Sequence, residues 1–323
     1  MSNPYSGQDF FGFFSVFFSR VFLLISGKIP LDQMPSDEIQ FSVLLFLGLA
    51  LAFLGSFLVL KQMTMLANAL SHTILLGIVV SFLLFQALFS IENLENSFTS
   101  MKVLWIAALV SGVITVLLTQ FCTEIFHLQE DASIGLVFTT LFALGILLVT
   151  IYTKNLHLGT EAVMGNIDAL HFDDVKVAAG LAAVSMFFSV VFFRGFYLTA
   201  FDSGFAKSLG WPVGLLDYVL MVLTAAGAIA SFRAVGVLLF LSFLVGPTLI
   251  SLRYTCSVKK LIALSFVVSA GSSLFAVALS RHILTVFKAP LSTSGLVVTI
   301  IFLVYLAVIL SSFLKKTRLI KTA

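Results

Sequence analysis

Ten stretches of the chain are apolar over 17 residues or more, and polar residues collect almost entirely between them. They run 10–26, 41–60, 63–89, 102–122, 133–152, 177–198, 215–232, 235–252, 260–280 and 293–314. A helix needs roughly 17 to 25 apolar residues to cross the hydrocarbon core of a bilayer. Hydrocarbon offers backbone N–H and C=O groups no partners, so such runs are satisfied as helices. The pattern predicts an all-α polytopic transmembrane bundle of eight to ten spans. The count is a range because 10–26 is the weakest run: Arg20 interrupts it, and its aromatic residues also suit a helix lying in the interface. It is not read as a signal peptide, since no basic region precedes it and no small-residue cleavage site follows. Residues 1–40 therefore form an aromatic-rich segment, interfacial or first transmembrane helix, followed by a membrane domain at 41–314 and a basic tail at 315–323.

The third run opens with a departure from this pattern, in KQMTMLANALSHTILLG at 61–77. At about 100° per residue, Lys61, Thr64, Asn68, Ser71 and His72 fall within an arc of roughly 100°. A polar stripe on a lipid-compatible helix has to face protein or water. Asn68, Ser71 and His72 are thus candidates for lining a translocation path. His72 is also the candidate metal contact, because neutral imidazole is a common ligand of first-row transition metals. A histidine hydrogen-bonded to a neighbouring helix reads the same way, and one histidine does not make a site.

Composition sharpens the class: 60% of the 323 residues are hydrophobic and 10% charged, with 35 phenylalanines and a mean hydropathy of +1.13. Soluble domains carry about a quarter charged residues. Threading the spans alternately puts Lys61, Arg194, Lys207, Arg253, Lys259, Lys260 and the basic tail on one side, which the positive-inside rule assigns to the cytoplasm together with the carboxyl terminus. The opposite loops, 27–40, 90–101 and 153–176, hold nine acids, Asp37, Glu38, Asp168, Asp173 and Asp174 among them. Such a mouth attracts cations, although solvated loops carry acids in any case. Cys122 and Cys256 fall at cytoplasmic span ends without a C-x-x-C, so two free thiols are expected.

Several classes are disfavoured. No G-x-x-x-x-G-K-[ST] occurs, so ATP would be handled by another subunit. Of five histidines only His72 lies well inside a span, against a haem carrier, which pairs intramembrane histidines. A stand-alone carrier driven by an ion gradient is the alternative, but intramembrane acids and matched broken helices are wanting. An enzyme would need convergent nucleophiles or acids at one depth. Nothing in the chain calls for a nucleic acid.

Four further constellations stand out. In HLQEDASIG (127–135), Glu130 and Asp131 sit where acids favour the positive end of a helix, and a metal site with His127 is the weaker reading. HLGTEAVMGNIDALHFDD (157–174) gathers His157, Glu161, His171, Asp173 and Asp174 in an outer loop, as a cation relay, a docking surface for a delivery protein, or a plain solvated loop. FDSGFAKSLGWP (201–212) predicts a short amphipathic helix capped by Asp202, with Phe205 and Leu209 four apart and Gly210 and Pro212 ending it. It suits a surface offered to a cytoplasmic motor, or an interfacial connector. Pro247 within 235–252 predicts a kink.

Taken in order, these words resemble the permeases of the ABC-3 family, the bacterial ABC importers of manganese, zinc and iron. Lys61, Met65 and NALSHTILLG resemble the family's basic residue, methionine and D-A-L-S-H-A-x-L-P-G. EDASIGLVF (130–138) resembles E-D-A-x-I-G-I-V-F, and VMGNI (163–167) resembles its L-x-G-N segment. FDSGFAKSLG resembles F-D-x-x-F-A-x-x-x-G, and RAVGVLL with LVGP (244–247) resembles the family's R-A-V-G-V-L-L…L-x-x-P. The resemblance implies a type II ABC importer-like permease in the bacterial cytoplasmic membrane. It also implies a second permease, identical or different, a cytoplasmic ATPase dimer and an extracytoplasmic metal-binding protein. Asp202, Phe205, Ala206 and Gly210 would belong to the coupling helix seated in the ATPase, and His72 would face the path. Asn68 stands where the family has an acid and Leu76 where it has proline.

Overall fold

The computed structural model describes residues 4–5, 10–26, 34–65, 67–69, 73, 76–77, 79–80, 101–152, 165, 167–289 and 291–321, and every regular element among them is helical. The helices are α1 (Phe10–Ile25), α2 (Ser36–Leu60), α3 (Met101–Ile125), α4 (Glu130–Tyr152), α5 (Phe172–Val191), α6 (Phe193–Phe201), α7 (Ser203–Ser208), α8 (Val213–Val235), α9 (Val237–Leu252), α10 (Val258–Phe287) and α11 (Thr293–Lys321), with a 3-10 turn at Ile167–Ala169. The described residues from 64 to 80 are helical as well. Among the described residues α2, α5, α8, α10 and α11 combine the length and hydropathy of a membrane span, and α1, α3, α4 and α9 carry shorter apolar stretches. The all-helical architecture expected from the apolar runs is the one observed.

Several boundaries differ from the hydropathy reading, two of them with consequences for the fold. α2 begins at Ser36 rather than 41, because Asp37 and Glu38 belong to its first turn, where carboxylates complement the positive end of the helix dipole. The run 177–198 is divided at Phe192, whose backbone (φ −98°, ψ 13°) leaves the α region between α5 and α6. No glycine or proline marks that break.

The backbone divides into two compact units. Unit 1 comprises residues 1–56, 166–186 and 238–323. Its core holds Leu44, Leu47, Leu51, Leu54, Phe240 and Phe243, all without solvent exposure. α1 packs on α10 through Phe10 against Phe275 and on α2 through Phe17 against Phe41, with ring centroids 5.5 and 5.1 Å apart. α2 and α9 meet backbone to backbone: a Cβ on Gly55 would stand 1.9 Å from the Leu244 carbonyl oxygen. Buried serines of α10 turn back on their own helix, Ser273 Oγ donating to the Ser269 carbonyl at 2.7 Å, which keeps the packing face narrow. α11 shows Phe302, Leu303, Leu310 and Phe313 outward, an apolar surface suited to lipid rather than water.

Unit 2 comprises residues 57–165 and 187–237. Met63, Ala69, Val116, Ile134, Met221 and Ala225 make its central cluster, joined by Phe138 and Tyr218, and Cys122, Val137 and Leu141 with Leu76 make a second. The start of the 64–80 segment, α3, α4 and α8 thus share one apolar core. α3 approaches α8 closely, a Cβ on Gly112 falling 2.9 Å from that of Ala225. Cys122 is buried and Cys256, in unit 1, exposed; both are free thiols.

Candidate functional site

The best-defined constellation in unit 2 is the connection from α6 through α7 to α8. Asp202 leaves the helical region (φ −151°, ψ 100°) and accepts the Phe205 N–H at 2.9 Å, the N-cap expected from the sequence. At the other end Gly210, at φ +81°, donates its N–H to the Lys207 carbonyl at 3.0 Å, and Trp211 donates to Ala206 at 3.1 Å. Those two bonds around a left-handed residue are a Schellman stop. Pro212, without an N–H to satisfy, then starts α8. α7 is therefore a six-residue helix closed at both ends by its own sequence.

Its faces are distributed in a way the periodicity did not reveal. Ala206 is fully buried, whereas Phe205 and Leu209 are 53% and 55% exposed. The apolar pair thus presents outward, and Phe201 and Tyr197 of α6, with rings 5.1 Å apart, are exposed too. The root of α7 is rigid: a Cβ on Gly195 would lie 3.1 Å from the Trp211 indole and 2.8 Å from Leu216.

Lys61 is not on the helix it was expected to begin. α2 ends at Leu60, Lys61 and Gln62 form a turn, and the described helix resumes at Thr64. The Gln62 N–H donates to Val59 and the Met63 N–H to Leu58, at 3.2 and 2.9 Å, so α2 also closes with a Schellman turn, here with Gln62 at φ +61°. The Lys61 ammonium pairs with the Asp217 carboxylate on α8, the lysine side chain being only 6% exposed. Asn68, one turn into the segment, is half-buried. Ser71 and His72 lie outside the described residues, as do His157 and Glu161.

The acids expected at an outer mouth that lie among the described residues have partners. Asp37 is gripped by Arg281 through two of its three guanidinium nitrogens, Nε and Nη2. Glu38 accepts from Arg20 and from the Tyr5 hydroxyl, the latter at 2.6 Å. Both acids are buried, and burial together with the Glu38 contact pushes the Tyr5 phenol up. Arg20, which weakened 10–26 as a span, is the partner that makes Glu38 tolerable. Asp174 is buried and accepts the His171 N–H at 2.9 Å, the returning half of a capping box for α5. Asp173 is exposed and pairs with Lys176 at 2.8 Å, while His171 is exposed. Asp168 accepts from Thr293 at 3.0 Å and from Gln40 at 3.3 Å. Ion pairs thus hold the buried Asp37 and Glu38, which a count of acids does not see, while neutral donors hold Asp168 and Asp174 and the Asp173 pair is exposed.

Glu130 and Asp131 occupy the first turn of α4, after an irregular stretch in which His127 has φ +52°. Two motif glycines meet: a Cβ on Gly165, at φ +62°, would stand 2.2 Å from the Gly236 nitrogen at the end of α8. Among the described residues no three His, Cys, Asp or Glu side chains converge as a metal site.

Long apolar helices with outward-facing hydrophobic surface mark a multi-pass membrane protein. The ABC 3 transport family model matches residues 39–312, and the chain belongs to that family. It is 39% identical over 320 residues to a probable metal transport system membrane protein of Chlamydia muridarum, covering 99% of this chain and 98% of that one. The manganese transport system membrane protein MntD of Bacillus subtilis is 35% identical over 216 residues, 62% of this chain and 68% of its own. The zinc transport system membrane protein TroD of Treponema pallidum is 29% identical over 212 residues, 62% and 55% of the two chains. In fold the chain is similar to PsaBC from Streptococcus pneumoniae, solved in complex with Fab, with a TM-score of 0.67 and 24% identity over 86% of this chain and 92% of that one.

Proposed function

We propose that the chain is one permease of an ATP-driven importer that carries a divalent transition metal into the cytoplasm, the metal being manganese or zinc, as in the names of its relatives. Iron, also expected from the sequence, has no such support among them. The observation that carries the mechanism is α7, a capped helix whose Phe205 and Leu209 side chains are offered outward. A rigid helix with an exposed apolar pair is suited to a cleft on a second protein. The sequence carries no phosphate-binding loop motif, which supports a reading in which that partner handles ATP.

In this reading two permeases, identical or different, sit in the bacterial cytoplasmic membrane with their carboxyl termini inside. An ATPase dimer engages each α7 in the Asp202–Gly210 segment through the exposed Phe205, with Asp202 and Gly210 closing the helix and the buried Ala206 seating it on its own unit. An extracytoplasmic binding protein delivers the metal near His157, Glu161, His171, Asp173 and Asp174, and Asn68, Ser71 and His72 line the path. ATP binding shifts the population between outward- and inward-open states. Contacts along the path are few, because a closed four-ligand cage would hold the ion rather than pass it.

Gly210→Pro tests the coupling assignment. Proline cannot reach φ +81° and lacks the N–H that Gly210 donates to Lys207. Uptake and ATPase attachment are expected to be lost while the protein remains in the membrane. Normal uptake by this variant would remove α7 from the mechanism. Uptake by the native protein that continues without the ATPase and stops when ion gradients collapse would replace the importer by a carrier.

A further inference from the structure

We infer that the Lys61–Asp217 ion pair is the strut that transmits movement of α7 to the helix carrying Asn68, so that ATP hydrolysis and metal passage stay linked through it. The inference rests on α7 being the ATPase-docking element. Its mechanical path lies wholly within unit 2.

α7 ends in the Schellman stop at Gly210 and Trp211. Trp211 and Leu216 then lie flush against Gly195, so the base of α8 follows α6 and α7 as one piece. Asp217 comes only five residues after Pro212, little more than one helical turn at about 1.5 Å per residue, too short a lever to absorb the motion by bending. On the receiving side, Lys61 is fixed to the end of α2 by its own N–H, which donates to Phe57 at 2.9 Å. Met63 packs in one cluster with Met221 and Ala69. The polar pair and this apolar cluster together tie the first half of α8 to the entrance of the Asn68 helix.

Two observations argue for a role beyond stability. A nearly buried lysine with a carboxylate holds two elements together no better than an apolar pair of similar size would; what it adds is a contact fixed in direction and sign. Beside it, Gln62 holds a left-handed backbone without being glycine. Strain of that kind persists where the surroundings over-determine it, and here the surroundings are Lys61 on one side and Met63 on the other. A turn clamped from both flanks passes displacement on rather than relaxing it.

The test reconstitutes the permease with its partner permease and ATPase in liposomes, supplies the metal-loaded binding protein, and measures manganese(II) or zinc(II) moved per ATP hydrolysed, for native protein, Lys61→Met, Asp217→Asn and the exchange Lys61→Asp with Asp217→Lys. In the single variants hydrolysis is expected to continue while metal per ATP falls about five- to a hundred-fold, the range of an ordinary coupling free energy. The exchange is expected to recover part of the ratio. Asp217→Asn keeps the shape of the side chain and carries the test if Lys61→Met does not accumulate. An unchanged ratio in the single variants, or no recovery in the exchange, would overturn the inference. Metal movement independent of ATP in the native complex would instead remove the importer reading on which it rests.

Discussion

Replacing Gly165 by alanine separates two costs that the structure assigns to one position. The backbone there has φ +62°, and the added Cβ would stand 2.2 Å from the Gly236 nitrogen and 2.6 Å from the Phe232 carbonyl oxygen. That carbonyl accepts the Gly236 N–H at 3.0 Å, so the methyl group would wedge into the last hydrogen bond of α8. A non-glycine residue in the left-handed region costs roughly 1–2 kcal/mol, and forcing a carbon into occupied space typically costs about 1–3 kcal/mol more. Gly165→Ala should therefore lose ~2–5 kcal/mol. Gly210 supplies the control, since its φ is +81° but a Cβ would meet nothing within 4 Å; Gly210→Ala should lose only the conformational part, ~1–2 kcal/mol. Gly180, helical and with nothing within 4 Å, should gain ~0.5–1 kcal/mol from alanine. Heating detergent-solubilised protein and following the monodisperse fraction ranks the three against native. The expected order is Gly180→Ala highest, then native, Gly210→Ala and Gly165→Ala. Gly165→Ala equal to Gly210→Ala would refute the close approach of residues 165 and 236.

Two further substitutions follow from the polar groups. Arg281→Leu should lose ~3–5 kcal/mol by leaving Asp37 buried without its guanidinium, while Arg281→Leu with Asp37→Leu should recover most of that loss; the same heating assay checks it, and an unrecovered double variant would show that the pair does more than neutralise itself. His72→Ala should lower metal uptake by more than it lowers the amount of protein in the membrane, measured in the same cells; equal losses would assign His72 to packing.

How far the sequence reaches depends on whether the cause is local. Apolar runs fixed the helices because the period and length of burial are written residue by residue, and α7 was legible for the same reason: Asp202, Gly210 and Pro212 each act on their own neighbours. The division at Phe192 was not legible, because Val191 and Phe193 beside it are as apolar as the run they interrupt, and Arg194 and Gly195 come only after the break. Lys61 was read onto the wrong side of a helix start, since Gln62 gives no warning of a left-handed turn. Its partner Asp217 is 156 residues away, and Arg281 is 244 residues from Asp37. Pairings at such range come from packing. Asp37 and Glu38 likewise read as solvated loop charges until Arg281 and Arg20 are known to face them.

The central claim is that this permease brings a divalent transition metal into the cell, and the most direct measurement is the manganese, zinc and iron content of cells depleted of it, grown with each metal scarce in turn. A selective fall in manganese or zinc is expected. Unchanged content of all three, in cells expressing no second importer, would contradict it.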